Sequence, residues 1–186
     1  MAETSSALLP LGAPLPAFVL PDAATNQPIS SQEFEGPKGV LVMFICNHCP
    51  FVVHIRSELI KVAHEAIDLG FSVVAINSNS IVSHPQDGPE HMARLARDEG
   101  WKFPFLFDET QDVARAYHAA CTPDLYVFDA ERKLAYHGQF DASRPSNSVA
   151  VTGADLRAAL SDVAAGRRPK PEQVPSIGCN IKWKTG

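Results

Sequence analysis

Two cysteines, Cys46 and Cys49, stand three positions apart at the end of an apolar run. The polar pair Asn47 and His48 lies between them, and Pro50 follows directly. Two thiols at that spacing in the first turn of a helix are close enough to form and break a disulfide. If a strand ends at Cys46 and a helix begins after it, unpaired backbone N–H groups and the positive end of the helix dipole meet there. Both stabilise a thiolate and lower Cys46 below the free-cysteine pKa of ~8.5. His48, which can carry charge near neutrality, would favour the thiolate further. A stabilised thiolate also makes the disulfide more oxidising, because the reduced form gains. The residues alone leave three readings open. The pair is a redox disulfide, or half of a Cu(I) or Zn site joined by His48 or Cys179, or two buried thiols acting as small hydrophobes. Spacing and compartment favour the redox reading. No metal is expected, since one CxxC supplies two ligands and adjacent His48 cannot easily share their tetrahedron.

Hydrophobic periodicity shows which elements must hold this pair. Residues 17–35 form an extended arm, with a short strand at 17–20 turned by Pro21 and Asp22, and 35–39 is a turn. The continuous apolar run 40–45 predicts a buried central strand. From Phe51 onward, Ile55, Leu59, Val62, Ala66 and Leu69 recur at helical spacing, and Gly70 closes that helix. Pro50 suits the first helical position, which makes Cys49 the N-cap. A second buried strand at 71–76 ends in the polar loop Asn77–Ser80. Helices are predicted at 89–99 and 109–119, with an apolar half-strand at 103–107 between them. Strands at 125–128 and 133–137 form a hairpin. Thr152 and Asp155 resemble a capping box that opens a last helix ending near Ala165. Prolines at 169, 171 and 175 keep the tail 166–186 non-helical, and Ile177, Ile181 and Trp183 should anchor it as an extended wrap. The order predicts one α/β domain spanning 1–186 with its core at about 11–165: a central mixed sheet flanked by helices, the first apolar strands parallel.

Bulk properties narrow the function. A chain of 186 residues that is 45% apolar and 20% charged supports a real core. A net charge of -5 without a basic block argues against nucleic acid as a partner. The opening residues have no positive start and no long apolar core, and no stretch nears the ~20 apolar residues that span a bilayer. A cytoplasmic protein without a membrane partner is therefore expected. Four cysteines in such a compartment point away from a structural disulfide framework.

The strand-CxxCP-helix start, the βα unit after it and Thr122-Pro123 before a terminal hairpin resemble the thioredoxin superfamily. The entry LGAPLPAFVLPD is similar to the opening of its peroxiredoxin and membrane-anchored thioredoxin-like branch. FICNHCPFV, CTPDLYVFD and PSIGCNIKWK resemble a bacterial AhpC/TSA-like family. The resemblance implies a thioredoxin-like fold over about 11–165, a cis peptide bond at Thr122-Pro123 facing the cysteines, and substrate backbone bound beside Cys46. It implies a thiol–disulfide oxidoreductase with Cys46 as nucleophile, Cys49 as resolver, and the Cys46–Cys49 disulfide in place of any cofactor. Cys46 is preferred as the more exposed cysteine. Peroxiredoxins, however, carry T-x-x-C-P, which would place Cys49 at the peroxide-reducing position; a peroxidase with Cys49 or Cys46 as that thiol stays open and would give the chain an antioxidant role. Substrates are then a protein or small-molecule disulfide, or a peroxide. Arg56 lies too far along the helix to serve such a thiolate, leaving Arg144 as a candidate. Cys121 and Cys179 are candidate extra thiols, the first otherwise packing, the second otherwise anchoring the tail. His54 and His64 are expected on the helix surface and His137 half-buried. Oligomeric state is not legible.

Overall fold

The structure, a computed structural model, describes residues 3–7 and 9–184. Strands β1 (Glu3–Ser5), β2 (Val19–Pro21), β3 (Pro28–Ser30) and β4 (Gly39–Phe44) precede the long helix α1 (Pro50–Asp68). Strand β5 (Phe71–Asn77), helix α2 (Pro89–Asp98), strand β6 (Phe105–Phe107) and the short helix α3 (Asp112–Ala116) come next. The chain continues through β7 (Cys121–Thr122), β8 (Asp124–Phe128), β9 (Leu134–Gly138), helix α4 (Ala154–Ala164) and β10 (Ile177–Asn180).

The main sheet runs β6-β5-β4-β8-β9. β4, β5 and β6 are parallel, while β8 and β9 run antiparallel to their neighbours. This is the mixed sheet the sequence predicts. All of β4 is buried, because both faces of the sheet are covered and side chains alternate between them. Leu41 and Met43 join Val52 and Leu59 of α1, Met92 of α2 and Leu160 of α4. Val40, Val42 and Phe44 point the other way, to Phe18 of the entry arm, Tyr117 and Tyr126.

Several expectations need correction. The helix expected at 109–119 shrinks to Asp112–Ala116, because Gln111 and His118 adopt φ of 67° and 54°. A buried Asp108 carboxylate accepts the Ala114 N–H at 2.9 Å instead of letting the helix extend backwards. Thr152 does not cap α4. Gly153 is the N-cap, and the Asp141 carboxylate accepts the Thr152 and Gly153 N–H groups at 2.7 and 2.6 Å. His137 is fully buried, with Nε2 2.8 Å from Asp124. The tail does wrap, but as a strand: β10 lies between β1 and β7 in a second sheet. Ile181 is buried, whereas Trp183 stays 38% exposed under the Arg115 guanidinium. Strand β1 carried no signal, since its residues are polar and its partner lies at the opposite end of the chain.

Candidate active site

Because β4 and β5 are parallel neighbours, the loops leaving both open at the same sheet edge. The first loop delivers Cys46, Asn47 and His48 to the start of α1. Pro50 occupies the first helical position and Cys49, with extended backbone, is the N-cap. The second loop carries Asn77–Ser80 and then a single 3-10 turn, Pro85–Asp87. Facing both, β7 and β8 meet at the Thr122-Pro123 bond, which is cis.

All four cysteines are free thiols. Cys46 and Cys49 are 1% and 0% exposed, so both thiols are buried and exposure hardly separates them. Their surroundings differ instead. Cys46 Sγ lies 3.5 Å from Thr122 Oγ1 and 3.9 Å from His48 Nδ1, and His48 is partly open to solvent. Cys49 Sγ donates to the Thr122 carbonyl at 3.2 Å when protonated. It also touches Cys46 and Cys179 and faces the Val52 N–H. Asn47 Oδ1 and His48 Nε2 are buried atoms without a hydrogen-bond partner among the described residues.

Asp87 is the residue sequence reasoning missed. Its carboxylate is fully buried and accepts the Asn47 N–H at 3.0 Å, His48 Nδ1–H at 2.6 Å and the Asn79 amide at 2.9 Å. Asn77 holds the Asp87 carbonyl at 2.7 Å. The polar run Asn77–Ser80 at a strand end parallel to the cysteine strand was the available signal, but nothing local links it to Asp87. His84 stacks on His48 with centroids 4.7 Å apart.

The charge distribution reverses the expectation from sequence. Cys46 does not have a lowered pKa. Its hydrogen bond to Cys49 raises it most, and burial and the Asp87 carboxylate add to that. That same contact with Cys46 holds Cys49 down to about 4, against the opposing effect of burial, with help from Cys179, Thr122 and the Val52 N–H. The two thiols titrate as a unit, with Cys46 pushed up and Cys49 held down at the helix N-terminus.

The other residues singled out fall elsewhere. Cys121 packs beneath Thr122, with Sγ 3.9 Å from Ser6 Oγ and 3.6 Å from the Pro123 carbonyl, and burial raises its pKa. Arg56 pairs with Glu99 at 2.9 Å. Arg144 lines a cavity beside Pro123, its guanidinium engaged by Gln139 and the carbonyls of Asp141 and Ser143. Neither arginine meets a sulfur. His64 Nε2 accepts the Lys102 N–H, and His54 is half-buried beside that cavity. Cys46 Sγ, His48 Nδ1 and an Asp87 oxygen lie within 4.8 Å of one another, a three-donor set. The Asp87 oxygens, however, are already used by Asn47, Asn79 and His48.

The sequence model of the AhpC/TSA family matches residues 11–137. No curated protein matches the chain. Among solved structures, an uncharacterized conserved protein from Geobacillus kaustophilus is 46% identical, with a TM-score of 0.97 over 100% of this chain and 98% of that one. A hypothetical protein from Sinorhizobium meliloti 1021 is 49% identical, with a TM-score of 0.95 over 98% of this chain and all of the other. The thioredoxin domain of a thiol-disulfide oxidoreductase from Bacteroides vulgatus shares the fold at 20% identity, TM-score 0.56, over 70% of this chain and 89% of that one.

Proposed function

The chain belongs to the AhpC/TSA family, within the thioredoxin superfamily, and from that premise we propose that it is a thiol–disulfide oxidoreductase acting through Cys46 and Cys49. One observation carries the reading: both sulfurs sit at the N-terminus of α1, in contact with each other and with Thr122. The neighbours of the two sulfurs favour Cys46 as the attacking thiol. Cys49 is enclosed by the Thr122 carbonyl, the first turn of α1 and Cys179, whereas Cys46 borders partly exposed His48 and the unpartnered Asn47 Oδ1 and His48 Nε2.

Attack proceeds with the Cys46 proton passing along the contact to Cys49. The Cys46 thiolate displaces one sulfur of the substrate disulfide, which leaves as a thiolate and takes a proton from solvent. Cys49 then gives up its proton and attacks Cys46 Sγ. The Cys46–Cys49 disulfide forms and the second substrate thiol departs. Two electrons pass to the substrate, and an external thiol donor restores the pair. The substrate class is a protein or small-molecule disulfide.

One observation favours a second reading. Cys49 holds the charge and stands directly before Pro50, as a peroxide-reducing cysteine would. In that case the Cys49 thiolate attacks a hydroperoxide, water or alcohol leaves, and Cys46 resolves the sulfenic acid to the same disulfide with loss of water. The absence, among the described residues, of an arginine on either sulfur weighs against it. Turnover of glutathione disulfide or insulin, compared with turnover of hydrogen peroxide, separates the two. Disulfide reduction abolished in Cys46→Ser, with peroxide consumed no faster than by a free thiol, supports the oxidoreductase. Undiminished disulfide reduction in Cys46→Ser overturns it.

A further inference from the structure

Three cysteines, not two, converge on Thr122. Its hydroxyl meets Cys46 Sγ at 3.5 Å and its carbonyl meets Cys49 Sγ at 3.2 Å. In the β7–β10 ladder, Thr122 is the register partner of Cys179. β10 approaches so closely that a Cβ on Gly178 would overlap the Thr122 carbonyl. Cys179 is 3% exposed and belongs to the same packed cluster as Cys46 and Cys49. At the start of α1 the Phe51 N–H faces Cys179 and the Val52 N–H faces Cys49. Cys49 thus stands between two thiols, one at the substrate side and one on the tail strand. Cys121, by contrast, faces Ser6 and two backbone carbonyls.

We infer that Cys179 is a third redox thiol, exchanging with the active-site disulfide so that the oxidised chain interconverts a Cys46–Cys49 and a Cys49–Cys179 bridge. This rests on the oxidoreductase reading, which supplies the first bridge. In the exchange, Cys179 loses its proton and attacks Cys49 Sγ. The Cys49–Cys179 bond forms and the Cys46–Cys49 bond breaks. The electron pair leaves on Cys46, which takes up the proton, so the oxidation level of the chain is unchanged. In the reduced protein, burial and the Cys49 sulfur push Cys179 up to about 12. Once Cys49 is in a disulfide its negative charge is gone, and the Phe51 N–H remains to support a Cys179 thiolate. The second bridge ties the tail strand to α1. It also returns Cys46 to the thiol state while two oxidising equivalents stay stored. An oxidised chain with a free attacking thiol can reshuffle a substrate's disulfides without net electron transfer, whereas reducing them takes the fully reduced chain.

The test is disulfide mapping of the full-length protein. Wild type, Cys46→Ser and Cys179→Ser are reduced, exposed to excess glutathione disulfide, quenched in acid, alkylated and mapped by mass spectrometry without reduction. Cys46→Ser is expected to lose two alkylatable thiols per chain to a Cys49–Cys179 bridge. Wild type should contain both bridges, and Cys179→Ser only Cys46–Cys49. If Cys46→Ser leaves Cys49 as a glutathione adduct or a thiol, or pairs Cys179 with Cys121, the inference is overturned. Should the serine variant not fold, wild type decides alone, since alkylation of Cys46 in oxidised chains must track the Cys49–Cys179 peptide. Absence of Cys46–Cys49 in both wild type and Cys179→Ser would instead defeat the oxidoreductase reading, and leave the Cys46→Ser result to judge the third thiol.

Discussion

Replacing Cys46 with alanine deletes the S–H group that contributes most to holding Cys49 down to about 4. A hydrogen bond to a charged group contributes ~1.5–3 kcal/mol. One pKa unit corresponds to ~1.36 kcal/mol, so Cys49 should rise by about one to two units in Cys46→Ala. Cys179, Thr122 and the Val52 N–H remain to stabilise the charge, so it should not return to ~8.5. At pH 5 the ionised fraction should fall from about nine-tenths to between about a half and a tenth. Cys46→Ser, whose hydroxyl can still donate, should shift less. The readout is thiolate ultraviolet absorbance of reduced protein from pH 3 to 9. Cys121 and Cys179 should be silent over this range, because burial raises both. Alkylation rates give an independent profile. They should be nearly flat from pH 6 to 8, where an ordinary thiol gains about tenfold per unit. The low pKa should give little net speed, because at pH 6 a roughly 300-fold gain in thiolate is largely cancelled by the ~100-fold lower nucleophilicity expected over 4.5 units. A wild-type step near ~8.5 would refute the coupled titration of the pair. So would an alanine variant that titrates no higher than the serine variant.

Other perturbations follow from the same contacts. Asp87→Ala leaves the Asn47 N–H, His48 and the Asn79 amide without their buried acceptor, and should cost about 3 kcal/mol or more by denaturant unfolding; a loss below ~1 kcal/mol would mean water replaces the carboxylate. Gly178→Ala puts a methyl group into the Thr122 carbonyl. It should loosen β10, seen as faster amide exchange and proteolysis after residue 176, while α1 and β4 keep their protection. Asp141 accepts N–H groups from Ser143, Thr152 and Gly153. Burial opposes its ionisation, but the Ser143 hydroxyl and these donors outweigh it and hold its pKa below the usual carboxylate value. Its contribution is therefore full above ~3.9 and lost as the pH falls through the lowered value. Asp141→Asn should cost ~1.5–3 kcal/mol at pH 7, and the gap from wild type should close in strong acid. A pH-independent gap would contradict that assignment.

The cysteine pair and its frame were legible because their signals are local. An unbroken apolar run marks a strand buried on both faces, as β4 is. Helical spacing from Phe51 to Leu69 with proline in front and Gly70 behind marks α1 to within two residues. Where side chains outside the pattern compete for backbone N–H groups, the local signal misled. The 109–119 pattern is helical, yet the Asp108 carboxylate and two residues with positive φ cut it to five residues. Thr152 looked like a cap until Asp141 took the same N–H groups.

The sequence by itself determined that two thiols would stand at the mouth of a strand–helix turn, since spacing, proline and apolar runs act within a few residues. Only the tertiary structure decided which thiol carries the charge. Asp87 arrives from the loop after β5, and Cys179 arrives on a strand that pairs with β7. A cysteine's proton responds to whatever charge and hydrogen-bond donors surround it in three dimensions, in a medium where burial weakens screening by water. The chain's order does not state those neighbours. Folding brings them together, and here they push Cys46 up and hold Cys49 down.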